Sequence, residues 1–192
     1  APPVQQAPPV QGQKQKVGKA QKRAVDVDAL EVVRLIGKGG FGETVLVVDK
    51  STGKKYIRKE SVSNKESHMR YQYNMLLYLR NKNLCEKDFI CPVEKYRDKK
   101  NRYFILFDFL DGYNIMYDLR HEPFEKRKKY CKDVLNLVKL LHKNNMVHND
   151  IKNNNVMIDK KTDKVRIIDF GVAIIKDKKK YYDMRRGRGR LT

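Results

Sequence analysis

Three glycines set between two β-branched runs constrain this chain more than any other feature. Residues 32–36 have the apolar, β-branched character of a strand, Gly37-Lys38-Gly39-Gly40-Phe41-Gly42 that of a tight loop, and Thr44-Val45-Leu46-Val47-Val48 that of a returning strand. Dinucleotide-binding folds carry the same G-x-G-x-x-G string, but there a helix follows the last glycine. Here a strand follows it, so the sequence predicts a hairpin. Without Cβ atoms, glycines let backbone N–H groups approach an anion closely, which makes the hairpin a lid over phosphates.

The rest of the chain continues in the same mixed register. After a turn at 49–53, residues 54–59 read as a third strand, and residues 63–80 as a helix with Met69, Leu76 and Leu79 near helical spacing. Residues 89–93 and 103–107 read as two further strands. The strongest helix is 124–145, where Tyr130, Val134, Leu137, Val138 and Leu141 recur at four, seven, eight and eleven residues to form one apolar stripe. Residues 156–159 and 164–168 form a hairpin beyond it. Strands first and a helix-supported segment second predict an α+β fold.

Chemistry concentrates in His148-Asn149-Asp150-Ile151-Lys152-Asn153-Asn154-Asn155 and, after the hairpin, Asp169-Phe170-Gly171. Moving a terminal phosphoryl group onto a hydroxyl needs a carboxylate to orient and accept the hydroxyl proton, and oxygen ligands to hold Mg²⁺ against the phosphates. Asp150 suits the first task, and Asn155 with Asp169 the second. Lys152 suits the neighbourhood of the moving phosphoryl, where a cation offsets developing charge.

His148-x-Asp150-x-Lys152-x-x-Asn155 followed by Asp169-Phe170-Gly171 resembles the catalytic and magnesium loops of eukaryotic-type protein kinases. The resemblance implies a bilobal fold with a β-rich small lobe carrying one helix and a helical large lobe, and it implies ATP and Mg²⁺ as cofactors. It makes Asp150, Lys152 and Lys59 the catalytic residues and Asn155 and Asp169 the metal ligands. Around the nucleotide it places Ile36, Gly37, Lys38, Gly39, Gly40, Phe41, Gly42, Thr44 and Lys59, with Asp108 and Leu110 in the hinge and Phe107 guarding the pocket behind it. Lys152 aligns the chain with the serine/threonine enzymes.

The sequence departs from the family pattern in four places. Arg58 stands before Lys59 where an apolar residue is usual, leaving the strand register open by one. Lys55 reads as an exposed charge on an edge strand. The glutamate that pairs with the strand-three lysine falls at Gln72, with Glu66 the alternative. Asn149 replaces the arginine that receives an activation-loop phosphate, so activity is expected without priming. The pattern also stops after Gly171, so the large lobe is expected to be incomplete.

Domains follow from these readings: a disordered Pro/Gln/Lys-rich arm at 1–28, the small lobe and hinge at 29–110, a partial large lobe at 111–175, and a basic activation-segment tail at 176–192. The formal net charge of +20 favours anionic partners. Expected partners are a protein substrate, a second chain completing the large lobe, and nucleic acid through the basic tails. Cys85, Cys91 and Cys131 form no C-x-x-C pair and predict thiols in a reducing compartment. With no membrane-length apolar run, the chain reads as soluble, cytosolic or nuclear, with no membrane partner. A kinase-like adaptor that binds nucleotide or nucleic acid without transfer is the competing function, and a small-molecule phosphotransferase a weaker one.

Overall fold

The computed structural model describes residues 25–39, 42–61, 65–85, 87–114 and 119–177. The expectations placed on the arm up to residue 24, on Gly40 and Phe41, and on the tail past 177 lie outside the described residues. Val25 packs against the sheet and Asp26 caps a short turn at Val27–Ala29. Packed structure therefore begins inside the span read as a disordered arm.

Five antiparallel strands build the small lobe in the order β1-β2-β3-β5-β4, with β1 at Leu30–Gly39, β2 at Gly42–Asp49, β3 at Lys55–Ser61, β4 at Pro92–Arg97 and β5 at Tyr103–Asp108. The glycine hairpin is formed as expected, with Gly39 opposite Gly42 and register shifts at Val32/Arg34 and Leu35/Gly37. Such shifts bend a strand and raise its twist. β3 lies between β2 and β5, so Lys55 is exposed on a central strand and not on an edge. The strand expected at 89–93 starts at Pro92. Phe89 is apolar because it is a core residue, and a short apolar run does not separate the two cases.

Helix α1, Glu66–Asn81, packs its Met75, Leu76 and Leu79 into the main core with Ile105 and Phe107 of β5. The same core continues into the large lobe through Leu141, Met146, Ile167, Phe170 and Ala173. There, β6 (Gly112–Asn114), β8 (Val156–Asp159) and β9 (Lys164–Ile167) form a three-stranded sheet, and β7 (Met146–Val147) pairs with β10 (Ile174–Ile175). Helix α2, Phe124–Lys143, lies on this sheet through Tyr130, Val134 and Leu137. The architecture is the expected α+β, bilobal one.

Cys85 and Cys91, expected as thiols, form a disulfide with Cα atoms 5.5 Å apart, within the span such a bond needs. The chain after α1 folds back on itself, bridging Cys85 to Phe89, and that turn brings the two cysteines together. Cysteine usage therefore no longer argues for a reducing compartment. Cys131 is free and exposed. Among the described residues, no helix is long and apolar enough to cross a membrane.

Candidate active site

Side chains alternate along β3, and that alternation settles which cation enters the cleft. Arg58 turns to one face, where it bonds Glu60 at 3.0 Å and covers the Phe104 ring. Lys59 turns to the other, and its Nζ donates to Gln72 Oε1 at 3.2 Å and to Asp169 Oδ1 at 3.0 Å. Gln72 Nε2 donates to the same Asp169 oxygen at 3.2 Å. Gln72 is thus the α1 residue that meets Lys59. Glu66 is ion-paired with Arg70 and Arg97 instead.

The loop after β7 is held by its histidine. The His148 ring is buried against Phe170, with centroids 4.7 Å apart. Its Nδ1 accepts the Asp150 amide at 3.3 Å, so the proton sits on Nε2, which donates to the Ile168 carbonyl at 3.0 Å. Burial pushes the His148 pKa below its ordinary value. A neutral, doubly bonded ring anchors the two loops to each other.

Asp150 Oδ2 receives Lys152 Nζ and Asn155 Nδ2, each at 2.8 Å, and Asn155 Nδ2 also reaches the Asp150 carbonyl at 2.9 Å. The Lys152 ammonium, and then Asn155, hold the Asp150 carboxyl below the usual range, while Asp150 raises Lys152 in return. Lys152 also lies close enough to Asp169 to feel its charge. Committing Nδ2 to Asp150 leaves the Asn155 Oδ1 oxygen for a cation. Asn149 and Asp169, both at φ 65°, take the left-handed backbone that Asn and Asp tolerate best. This turns the chain sharply just before Asp150 in one loop and at Asp169 in the other.

Gly37, Gly39, Gly42, Thr44, Lys59, Gln72 and Asp169 line one cleft beneath the hairpin. A Cβ at Gly42 would overlap the Glu60 carbonyl, so β2 and β3 meet there too closely for any side chain. At Gly37 and Gly39 a Cβ would meet nothing within 4 Å. Those two positions border open space. Among the described residues no three His, Cys, Asp or Glu side chains cluster as a closed metal site. One carboxylate and one amide oxygen fit Mg²⁺, which keeps waters and substrate phosphates in its shell.

The remaining expected contacts are not gathered here. Ile36 is exposed, Lys38 pairs with Glu43 at 2.8 Å, Asp108 pairs with Lys54 at 2.7 Å, and Leu110 lies against Gly112.

Compared with known proteins, residues 30–188 match the protein kinase domain model. This chain belongs to the protein kinase family. The kinase sequence is 31% identical over 150 residues to calcium-dependent protein kinase 4 of Plasmodium berghei, covering 73% of this chain and 28% of that protein. It is 27% identical over 159 residues to the serine/threonine-protein kinase AtPK1/AtPK6 of Arabidopsis thaliana (78% and 32% covered). Against human cyclin-dependent kinase-like 2 the identity is 26% over 156 residues (77% and 30%). The chain spans about a third of the length of these relatives.

Met69 and His68 also line the kinase cleft and were not among the expected site residues, whereas Gly171, beside them, belongs to the Asp169 motif. Met69 lies three residues before Gln72 on α1, one turn away on the same face. Once Gln72 is placed opposite Lys59, Met69 follows from helical spacing.

Proposed function

We propose that this chain is a protein serine/threonine kinase that transfers the γ-phosphoryl of ATP to protein hydroxyls with the help of Mg²⁺. One observation carries the reading: Lys59 and Asp169, 110 residues apart in sequence, lie 3.0 Å apart in one cleft. Its depressed pKa keeps Asp150 ionised at neutral pH, ready to accept a hydrogen bond from the incoming hydroxyl and draw off its proton. Lys152 stands beside it, where a fixed cation offsets charge on the moving group. Lys59 holds the nucleotide phosphates, while Asn155 Oδ1 and Asp169 hold Mg²⁺, which when bound neutralises phosphate oxygens. Asn149 supplies no cation to an activation-segment phosphate, so transfer proceeds without priming.

A second reading has one observation in its favour. Gln72 stands where the family's glutamate would make an ion pair, and a kinase-like adaptor that binds nucleotide without transfer fits that exchange. Partners in the first reading are protein substrates, joined by nucleic acid at the basic tails.

Radiolabelled ATP, offered with a basic and an acidic protein substrate, separates the readings. Asp150→Asn is expected to lower transfer by about 10²–10⁴-fold with folding intact. Transfer that survives the substitution removes Asp150 from the chemistry, and a parent chain that binds ATP without transfer supports the adaptor.

A further inference from the structure

We infer that Gln72 makes the phosphate end of this cleft a site that accepts a nucleoside triphosphate ahead of its metal, an inference that rests on the kinase reading above. Lys59 donates to Gln72 Oε1 at 3.2 Å and to Asp169 Oδ1 at 3.0 Å, and Gln72 Nε2 closes the ring onto Oδ1 at 3.2 Å. A side-chain amide can do both jobs. A carboxylate at this position has no proton to donate and would set a second negative charge against Oδ1.

The ring is therefore neutral overall, one ammonium against one carboxylate. Neighbouring carboxylates are already engaged: Glu60 by Arg58 at 3.0 Å, Glu43 by Lys38 at 2.8 Å, Asp150 by Lys152 at 2.8 Å. Glu66 points to Arg70 and Arg97. A polyanion sliding under the hairpin meets Lys59 with a single carboxylate beside it. With a glutamate at 72 the same spot would carry a net negative charge, opposing a triphosphate until a divalent cation neutralised it. Asp169 Oδ2 has no donor among the described residues, which leaves that oxygen for a cation arriving second. Gln72 acts by adding no charge beside Lys59 and Asp169, the two groups it bonds.

Calorimetric titration of the full chain with ATP, once in EDTA and once in excess Mg²⁺, tests this. For the parent, the metal-free Kd is expected within about tenfold of the Mg²⁺ value, because no net negative charge has to be screened first. Gln72→Glu is expected to weaken metal-free binding by about tenfold or more, while the Mg²⁺ value moves less than about threefold. Gln72→Ala removes the hydrogen bonds without adding charge and is expected to keep metal-free binding within about threefold.

A parent that binds ATP only with Mg²⁺ overturns the inference. So does Gln72→Glu weakening both titrations equally, or Gln72→Ala losing metal-free binding as fully as Gln72→Glu. A chain folded by circular dichroism that binds ATP under neither condition overturns the kinase reading, and this inference with it.

Discussion

Helices α1 and α2 are both amphipathic, yet the core encloses one and merely supports the other. Eight of the sixteen residues of α1 are buried, on faces that meet β5 and the Phe170 segment alike, whereas α2 buries only Tyr130 and Leu141 of its twenty. Leu135 and Phe124 of α2 are exposed. What fixes α2 on its sheet is largely polar: Tyr130 donates to Asp163, and Lys129 reaches both the Asp163 carboxylate and its carbonyl. The candidate site residues inherit this contrast. Gln72 is placed by non-directional burial that locks a whole helix, while Asp150 is aimed by hydrogen bonds through His148 and Asn155.

The largest expected effect sharpens that contrast directly. Leu79 is fully buried in α1, and Leu79→Ala should cost about 2–5 kcal/mol, the lost transfer energy plus the cavity left behind. Leu137 of α2 is half-buried, and Leu137→Ala should cost about half as much, in proportion to the apolar area it removes from water. Urea unfolding of both variants measures the difference. Equal losses would mean that α2 is as deeply packed in solution as α1.

A smaller effect comes from His148, which anchors the loop carrying Asp150. Burial lowers the His148 pKa from its ordinary 6.5. Between that value and the lower folded one, the unfolded chain binds the extra proton, so stability rises with pH through this window. The contribution is complete above 6.5 and is lost as pH falls below it, with a slope of at most about 1.4 kcal/mol per pH unit for one proton. Unfolding free energies at a series of pH values, for the parent and His148→Gln, should keep a constant separation above 6.5 and change it only on the acid side. A parallel pair of curves would show that His148 is solvated, and that the loop is aimed by something else.

Much of this was legible in the sequence, for reasons that differ by element. The glycine hairpin was readable because β-branched runs flank it on both sides, and α1 because Leu76 and Leu79 fix its phase. The order of Asp150, Asn155 and Asp169 along the chain located both loops. What escaped is non-local. β6 is three residues long and exists by pairing with β8 across more than forty residues of chain, so no local signal announces it. The disulfide depends on the turn that carries Phe89 back toward Cys85, and the C-x₅-C spacing is silent about that turn. Arg58 and Lys59 are adjacent cations, and only the partners on each face of β3, Glu60 on one and Gln72 on the other, tell them apart.

Glu66 offers the smallest effect and the cleanest check on how α1 is phased. It lies six residues before Gln72, about 240° around the helix at 100° per residue, so the two side chains cannot face Lys59 together. In the structure Glu66 bonds Arg70 on its own helix and Arg97 on β4, all partly exposed. Surface pairs of this kind contribute about 0–1 kcal/mol, and the pKa of Glu66 is lowered by those two arginines against an opposing burial effect. Glu66→Gln should therefore lower stability by no more than about 1 kcal/mol and leave the phosphoryl-transfer rate within about twofold of the parent. Loss of transfer on this substitution would mean that α1 rotates during turnover to bring Glu66 to Lys59, and the fixed, core-locked helix described above would have to give way to one with two working positions.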